Sequence, residues 1–236
     1  MRISKNRIII ISTIVITLIV SFLLIYFIYV VPSNKDKERE RILKEYYDQR
    51  IAFYHNQNTL YQPGDIDVVF IGDSLTDGCN LSKYYPEYTS LNRGISGDTT
   101  FTLENRLKVS VYDVKPKVVV MLIGGNNLKN MFDNYEDIVK DIKENLPDSE
   151  LVLVSLTAMG KTFKDKNKLV IKNNAKISKI SQEYNCHFVD VFTSLYDINT
   201  KEIFSEYTND GAHLTDEGYV ILTNKIKESL SLILKD

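Results

Sequence analysis

The sequence predicts an α/β protein, a three-layer α/β sandwich built on a parallel sheet and preceded by one N-terminal transmembrane helix. From Asp67 onward, short β-branched runs alternate with longer helix-like segments, the order expected when helical crossovers join parallel strands. Those runs are apolar almost throughout rather than alternating, as in strands buried on both faces. The span rests on Ile8–Val31, "IIIISTIVITLIVSFLLIYFIYVV", which carries no charge; as a helix it is long enough to cross about 30 Å of hydrocarbon.

The elements follow in chain order. Residues 1–7 form a short basic tail, with Arg2, Lys5 and Arg7, and 8–31 the anchor. No small-residue cleavage site follows in "YVVPSNKDK", which separates an uncleaved anchor from a signal peptide. Lys35, Lys37, Arg39, Arg41 and Lys44 lie beyond the span, so basic residues alone do not orient it. Long domains cross largely regardless of charge, and the domain is expected outside the cytoplasm. Residues 32–64 read as an amphipathic helical linker: Ile42, Tyr46 and Phe53 recur at roughly helical spacing from Asn34 to Asn58, and Pro63 and Gly64 end it. Residues 65–236 form the domain. Its strands are expected at Asp67–Ile71, Thr89–Asn92, Lys117–Ile123, Glu150–Leu156 and His187–Val191, with helices at Thr99–Val109, Asn134–Leu146, Lys166–Tyr184 and from Thr215 to Leu234.

Composition narrows the function. The 236 residues are 44% hydrophobic and 25% charged, the profile of a folded chain with a sizeable core. With 29 basic and 31 acidic residues the formal charge is -2, so the basic field that nucleic acid requires is absent. Cys79 and Cys186 lack metal-ligand spacing and fall at opposite edges of the expected sheet, so both read as unpaired thiols. No metal and no cofactor are expected.

Parallel sheets bind ligands at the carboxyl ends of their strands, and the loops there carry the chemistry. The first is "GDSL", in which Ser74 is either a helix cap or a nucleophile. A nucleophile needs a base. Of three histidines, His55 lies in the linker and His187 opens a strand at the far edge, which leaves His213 in "NDGAHLTDEG". Asp210 stands three residues earlier, where a tight turn can place a carboxylate against one ring nitrogen and leave the other to take a proton. Acyl transfer also needs donors for a developing oxyanion. Gly97 in "NRGISGDTT" and Asn126 in "IGGNN", after Gly124 and Gly125, are at the same edge, although glycines there also make ordinary turns.

Together "GDSL", "SGDT", "GGNN" and "DGAH", in this order from Gly72 to His213, resemble the blocks of the SGNH or GDSL hydrolase family over essentially the whole domain. The resemblance implies a flavodoxin-like sandwich with a central five-stranded parallel sheet. It implies Ser74 as nucleophile, Asp210 and His213 as its partners in a triad, and an oxyanion hole from the Ser74 and Gly97 backbone N–H groups and the Asn126 side chain. Asp73 reads as a residue shaping the loop. The third block usually runs Gly-x-Asn-Asp, whereas Asn127 follows Asn126 here and removes a carboxylate beside the expected donor.

The expected activity is that of a membrane-anchored, metal-free serine esterase acting on acetyl esters of glycans or on lysophospholipid and short acyl esters. The rival readings are an O-acyltransferase with the same residues and a binding module that keeps only the fold. Specificity is expected in the loops Asn80–Glu87, with Tyr84 and Tyr85, and Met159–Asp165.

Overall fold

The structure, a computed structural model, describes residues 14, 16–24, 26 and 31–235. The basic tail and half of the expected anchor at Ile8–Val31 lie outside the described residues. Among the described residues no helix is long and apolar enough to cross a membrane.

Two compact units divide the chain, Met1–Asp48 and Gln49–Asp236. In the first, helix α1 (Val31–Asn58) begins. Arg41 pairs with Glu38 and Glu45, and Lys44 with Asp48, the i,i+3 and i,i+4 neighbours that a helix brings together. Ile42 is 54% exposed and Phe53 50%, so the apolar stripe of an amphipathic helix is not buried along this face. The second unit takes in the last turns of α1, so it starts at Gln49 rather than at residue 65.

The second unit is built on five parallel strands: β1 (Val68–Gly72), β2 (Ser90–Gly94), β3 (Val118–Leu122), β4 (Glu150–Val154) and β5 (His187–Val189), in the order β2-β1-β3-β4-β5. Every residue of β1 and β3 is buried, as continuous apolar runs demand, and Val68 stands level with Ser90 on one side and Val118 on the other. Short helices α2 (Ser74–Asp77) and α3 (Leu81–Tyr84) follow β1, and α4 (Thr100–Glu104) follows β2. The longer α5 (Tyr135–Asn145), α6 (Asn167–Glu183), the short α7 (Phe192–Leu195) and α8 (Asp216–Ile233) complete the helices. A two-stranded hairpin, β6 (Tyr196–Asp197) and β7 (Glu202–Ile203), stands apart from the main sheet.

The helix expected over Thr99–Val109 stops at Glu104 and resumes as a wider π-helical turn at Lys108–Tyr112. Its inward face carries Arg106 and Ser110 beside the apolar Leu103, Leu107 and Val111, and the guanidinium of Arg106 donates to the Ser110 hydroxyl at 2.8 Å.

Candidate active site

The strand order reverses at β1, which makes the crevice between the carboxyl ends of β1 and β3 the switch point of the sheet. β1 ends at Gly72, where a Cβ would stand 2.2 Å from the Leu122 carbonyl oxygen and 2.3 Å from Thr76 Oγ1. The bare backbone lets the chain turn at once into α2. Asp73 is the cap of that helix, its Oδ1 accepting from the Leu75 N–H at 3.1 Å. The Ser74 hydroxyl is therefore not the cap, and it lies 3.1 Å from His213 Nε2.

His213 is placed by a loop folded around Asp210. Asp210 Oδ1 accepts the backbone N–H groups of Ala212 at 2.9 Å and His213 at 2.8 Å, while Oδ2 lies 2.6 Å from His213 Nδ1. Nδ1–H therefore donates to the carboxylate and Nε2 is left as the acceptor facing the serine. Burial works to raise the Asp210 carboxyl, but the hydrogen bonds from His213 and Ala212 outweigh it and hold the group well below the usual carboxylate range. Thr208 Oγ1 donates to the His213 carbonyl at 2.7 Å and accepts the Gly211 N–H at 2.9 Å, closing the loop from inside. His213 and Asp210 side chains are 58% and 51% exposed, so the pair sits open to solvent.

The loops after β2 and β3 meet each other. Gly97 has φ +89 and Gly124 φ +120, both in the left-handed region that favours glycine. Asn126 lies in the tight turn Gly125–Asn127, and its Nδ2 donates to the Asp98 carbonyl at 2.8 Å, joining the two loops. Asn127 adds a second tie: its Oδ1 accepts the Thr100 N–H at 3.3 Å, as a carboxylate would, and its Nδ2 donates to Thr100 Oγ1 at 2.9 Å.

Residues beyond the recognised blocks hold these loops. Arg106 reaches across to Asp98, with Nη2 and Oδ2 2.6 Å apart and the side chains only 1% and 2% exposed, and donates from Nη2 to the Gly72 carbonyl at 3.1 Å. Burial pushes the Asp98 carboxyl up, and the neighbouring guanidinium offsets this only in part. Removing either partner strands a buried charge, a loss of about 3–5 kcal/mol. Three asparagines on α6 do comparable work with neutral groups. Asn174 bonds both backbone groups of Leu156, Asn167 both of Met159, and Asn173 donates to the Leu128 carbonyl. The signal for them was a helix presenting polar residues where its period calls for apolar ones.

The two tyrosines expected to face substrate from the first specificity loop do not do so. Tyr84 is 7% exposed and Tyr85 1%, packed into the core because α3 turns them inward; Tyr84 stacks on Tyr219, whose hydroxyl donates to the Leu75 carbonyl at 3.0 Å. In the Met159–Asp165 segment, Met159 is buried and Lys164 pairs with Glu202. His187 pairs with Glu150 at the amino edge of the sheet, and His55 is exposed on α1, so neither approaches Ser74. Cys79 and Cys186 are free thiols.

The chain is similar to several known proteins. The rat (Rattus norvegicus) platelet-activating factor acetylhydrolase IB subunit alpha2 is 28% identical over 205 residues, which cover 80% of this chain and 87% of the rat protein. In fold, the chain is similar to a GDSL-like lipase from Bacteroides thetaiotaomicron, with a TM-score of 0.70 at 24% identity, covering 78% of this chain and 98% of the other. It is also similar in fold to an acetylxylan esterase from Geobacillus stearothermophilus, with a TM-score of 0.59 at 22% identity over 71% and 95% of the two chains. The model of the GDSL-like lipase/acylhydrolase family matches residues 70–221, from within β1 to within α8. The chain belongs to that family and is an ester-hydrolysing enzyme.

Proposed function

We propose that the protein is a serine esterase working through an acyl-enzyme, with Ser74 as nucleophile, His213 as base and Asp210 as the carboxylate that orients it. The observation that carries this is the unbroken chain from Ser74 Oγ through both ring nitrogens of His213 to Asp210. His213 Nε2 takes the serine proton as Oγ attacks the ester carbonyl. The carbonyl oxygen becomes negative and is met by the Ser74 and Gly97 N–H groups and the Asn126 amide. Protonated His213 then hands its proton to the departing alcohol. Water enters, loses a proton to the same nitrogen and attacks the acyl carbon, and collapse of that second adduct frees the acid and restores Ser74.

The acyl group we propose is short. The rat relative is named for an acetyl ester, and the exposure of His213 and Asp210 suits a small acyl group on a bulky alcohol, either a glycan or a glycerophospholipid. The substrate is met at a surface: we propose that Ile8–Val31 anchors the chain, with the domain on the extracytoplasmic side.

Hydrolysis of p-nitrophenyl esters of increasing acyl length by the full chain, its Ser74→Ala variant and its His213→Ala variant tests the reaction. Turnover of the acetate should vanish in both variants while thermal unfolding is unchanged; activity persisting in either removes the triad. Protease access to the domain in intact cells tests the topology.

A further inference from the structure

The last turns of α1 present one face to the exit of β2. Arg50, Tyr54, Gln57 and Asn58 fall at helical spacing along it. Tyr54 is fully buried, and its hydroxyl donates to the Gly94 carbonyl at 2.6 Å; Arg50 Nη2 donates to the same oxygen at 3.3 Å. Gly94 is the last residue of β2, three before Gly97, and its backbone is pressed against α2: a Cβ there would stand 2.2 Å from the Asp77 nitrogen. Arg50 also approaches Asp77 at 3.4 Å, and Asp77 Oδ2 accepts both the backbone N–H of Ser96 at 3.1 Å and its hydroxyl at 2.7 Å. Helix α1 thus holds both the carbonyl where the chain leaves the sheet and, through Asp77, the residue immediately before Gly97.

The face is itself fixed. Gln57 Oε1 and Asn58 Oδ1 accept from Nη1 and Nη2 of the fully buried Arg93 at 2.8 and 2.6 Å, and that guanidinium lies 4.5 Å from the centre of the Tyr54 ring. Among the described residues the acceptors of Arg93 are these two neutral amides, and burial draws its pKa down to about 10. An arrangement meant only to bury a helix would be met by apolar side chains. Here a buried cation and a buried hydroxyl are spent on fixing the direction of one loop.

We propose that Arg50 and Tyr54 are positioning residues of the oxyanion hole, setting the Gly97 N–H through the Gly94 carbonyl and the Asp77–Ser96 bonds. The inference rests on the reading of Gly97 as an oxyanion donor. A segment that lies outside the recognised family blocks then controls the rate of the reaction without touching substrate. An error of about 1 Å in such a donor can cost about 100-fold. Loss of one of two hydroxyl and guanidinium bonds displaces the loop by less, and a roughly tenfold effect on rate is expected.

The test uses the full chain and its Tyr54→Phe, Arg50→Ala, Ser74→Ala and His55→Ala variants, with p-nitrophenyl acetate as substrate and phenylboronic acid as a tetrahedral adduct former. Tyr54→Phe and Arg50→Ala should each lower kcat about tenfold with KM within about twofold, and weaken boronate binding by the same factor as kcat, because both report the tetrahedral state. His55→Ala, exposed on the same helix, should match the parent chain. Unchanged kcat in Tyr54→Phe, or a loss of kcat that tracks only the folded fraction with boronate affinity intact, overturns the proposal. Ser74→Ala separates the two readings: full turnover there removes the triad whatever Tyr54→Phe does, whereas a dead Ser74→Ala beside a fully active Tyr54→Phe removes the positioning role alone.

Discussion

Asn126 Nδ2 is hydrogen-bonded to the Asp98 carbonyl at 2.8 Å, so the plane of its carboxamide is set by the neighbouring loop. One amide hydrogen is committed to that bond, and the other is the donor that the proposed oxyanion hole uses. Asn126→Ala should lower kcat on a short ester by about 100-fold to 1000-fold. Asn126→Asp should do no better, because it sets a carboxylate against the Asp98 carbonyl and removes both donors. Steady-state kinetics on p-nitrophenyl acetate decides; a loss below about tenfold would take Asn126 out of the oxyanion hole.

Asn127 makes a different prediction, since its two bonds to Thr100 ask for one acceptor and one donor. In Asn127→Asp the acceptor toward the Thr100 N–H survives, and the Thr100 hydroxyl can rotate to donate in the other direction. Activity should stay within about threefold, whereas Asn127→Leu, which leaves the Thr100 N–H without its acceptor, should destabilise the chain by about 1–3 kcal/mol. Urea unfolding of the two variants, with kcat measured alongside, separates these outcomes.

Asp210→Asn keeps the shape of the turn and removes the charge that fixes the tautomer of His213. A loss of kcat on the order of 10,000-fold is expected. Since Asp210 is held below the ordinary carboxylate range, its stabilising contribution is present above about pH 4 and is lost only as the medium becomes strongly acid. The acid limb of the pH–rate profile therefore should not belong to Asp210. A fall in thermal midpoint already complete at pH 4 would contradict that.

Asp73 behaves in the opposite sense. Burial raises its carboxyl from 3.8 to about 6, against the pull of the Leu75 N–H. Between those values the folded chain keeps a proton that the unfolded chain has released, so stability falls as pH rises from about 4 to about 6 and is level above. Asp73→Asn still offers an oxygen to cap α2 and should remove this slope, a difference on the order of 3 kcal/mol across the window. Unfolding curves of equal pH dependence would show that Asp73 titrates normally.

Gly211 and Gly160 touch through their backbones: Gly160 N–H donates to the Gly211 carbonyl at 2.8 Å, and a Cβ on Gly211 would lie 2.2 Å from the Gly160 oxygen. With φ +92 as well, Gly211→Ala should cost about 1–3 kcal/mol and displace Asp210. A thermal melt and a kcat measurement that both match the parent chain would refute this.

These contacts show which parts of the molecule could be read from its sequence. β1 and β3 announced themselves because strands buried on both faces are apolar throughout, whereas β2, with Ser90, Asn92 and Arg93, and β5, with an exposed His187, were legible only from their places between helices. The sequence pattern also grouped Ser74, Asp210 and His213, which the structure brings within hydrogen-bond distance of one another. Tyr84 and Tyr85 misled because an aromatic residue in a connecting segment looks the same whether it faces substrate or core. Arg106, Asn174 and Tyr54 were invisible for a related reason: each acts on a backbone carbonyl or N–H far away in the chain, and a carbonyl leaves no trace in the sequence.

The openness of His213 and Asp210 has a kinetic consequence. In the proposed mechanism, with an acyl group on Ser74, the exposed His213 meets bulk water directly, and no closure step has to admit the next nucleophile. A sugar hydroxyl competing for that acyl group at about 1 mM would face water in roughly 50,000-fold excess. On the proposed mechanism, geometry of this kind favours transfer of the acyl group to solvent.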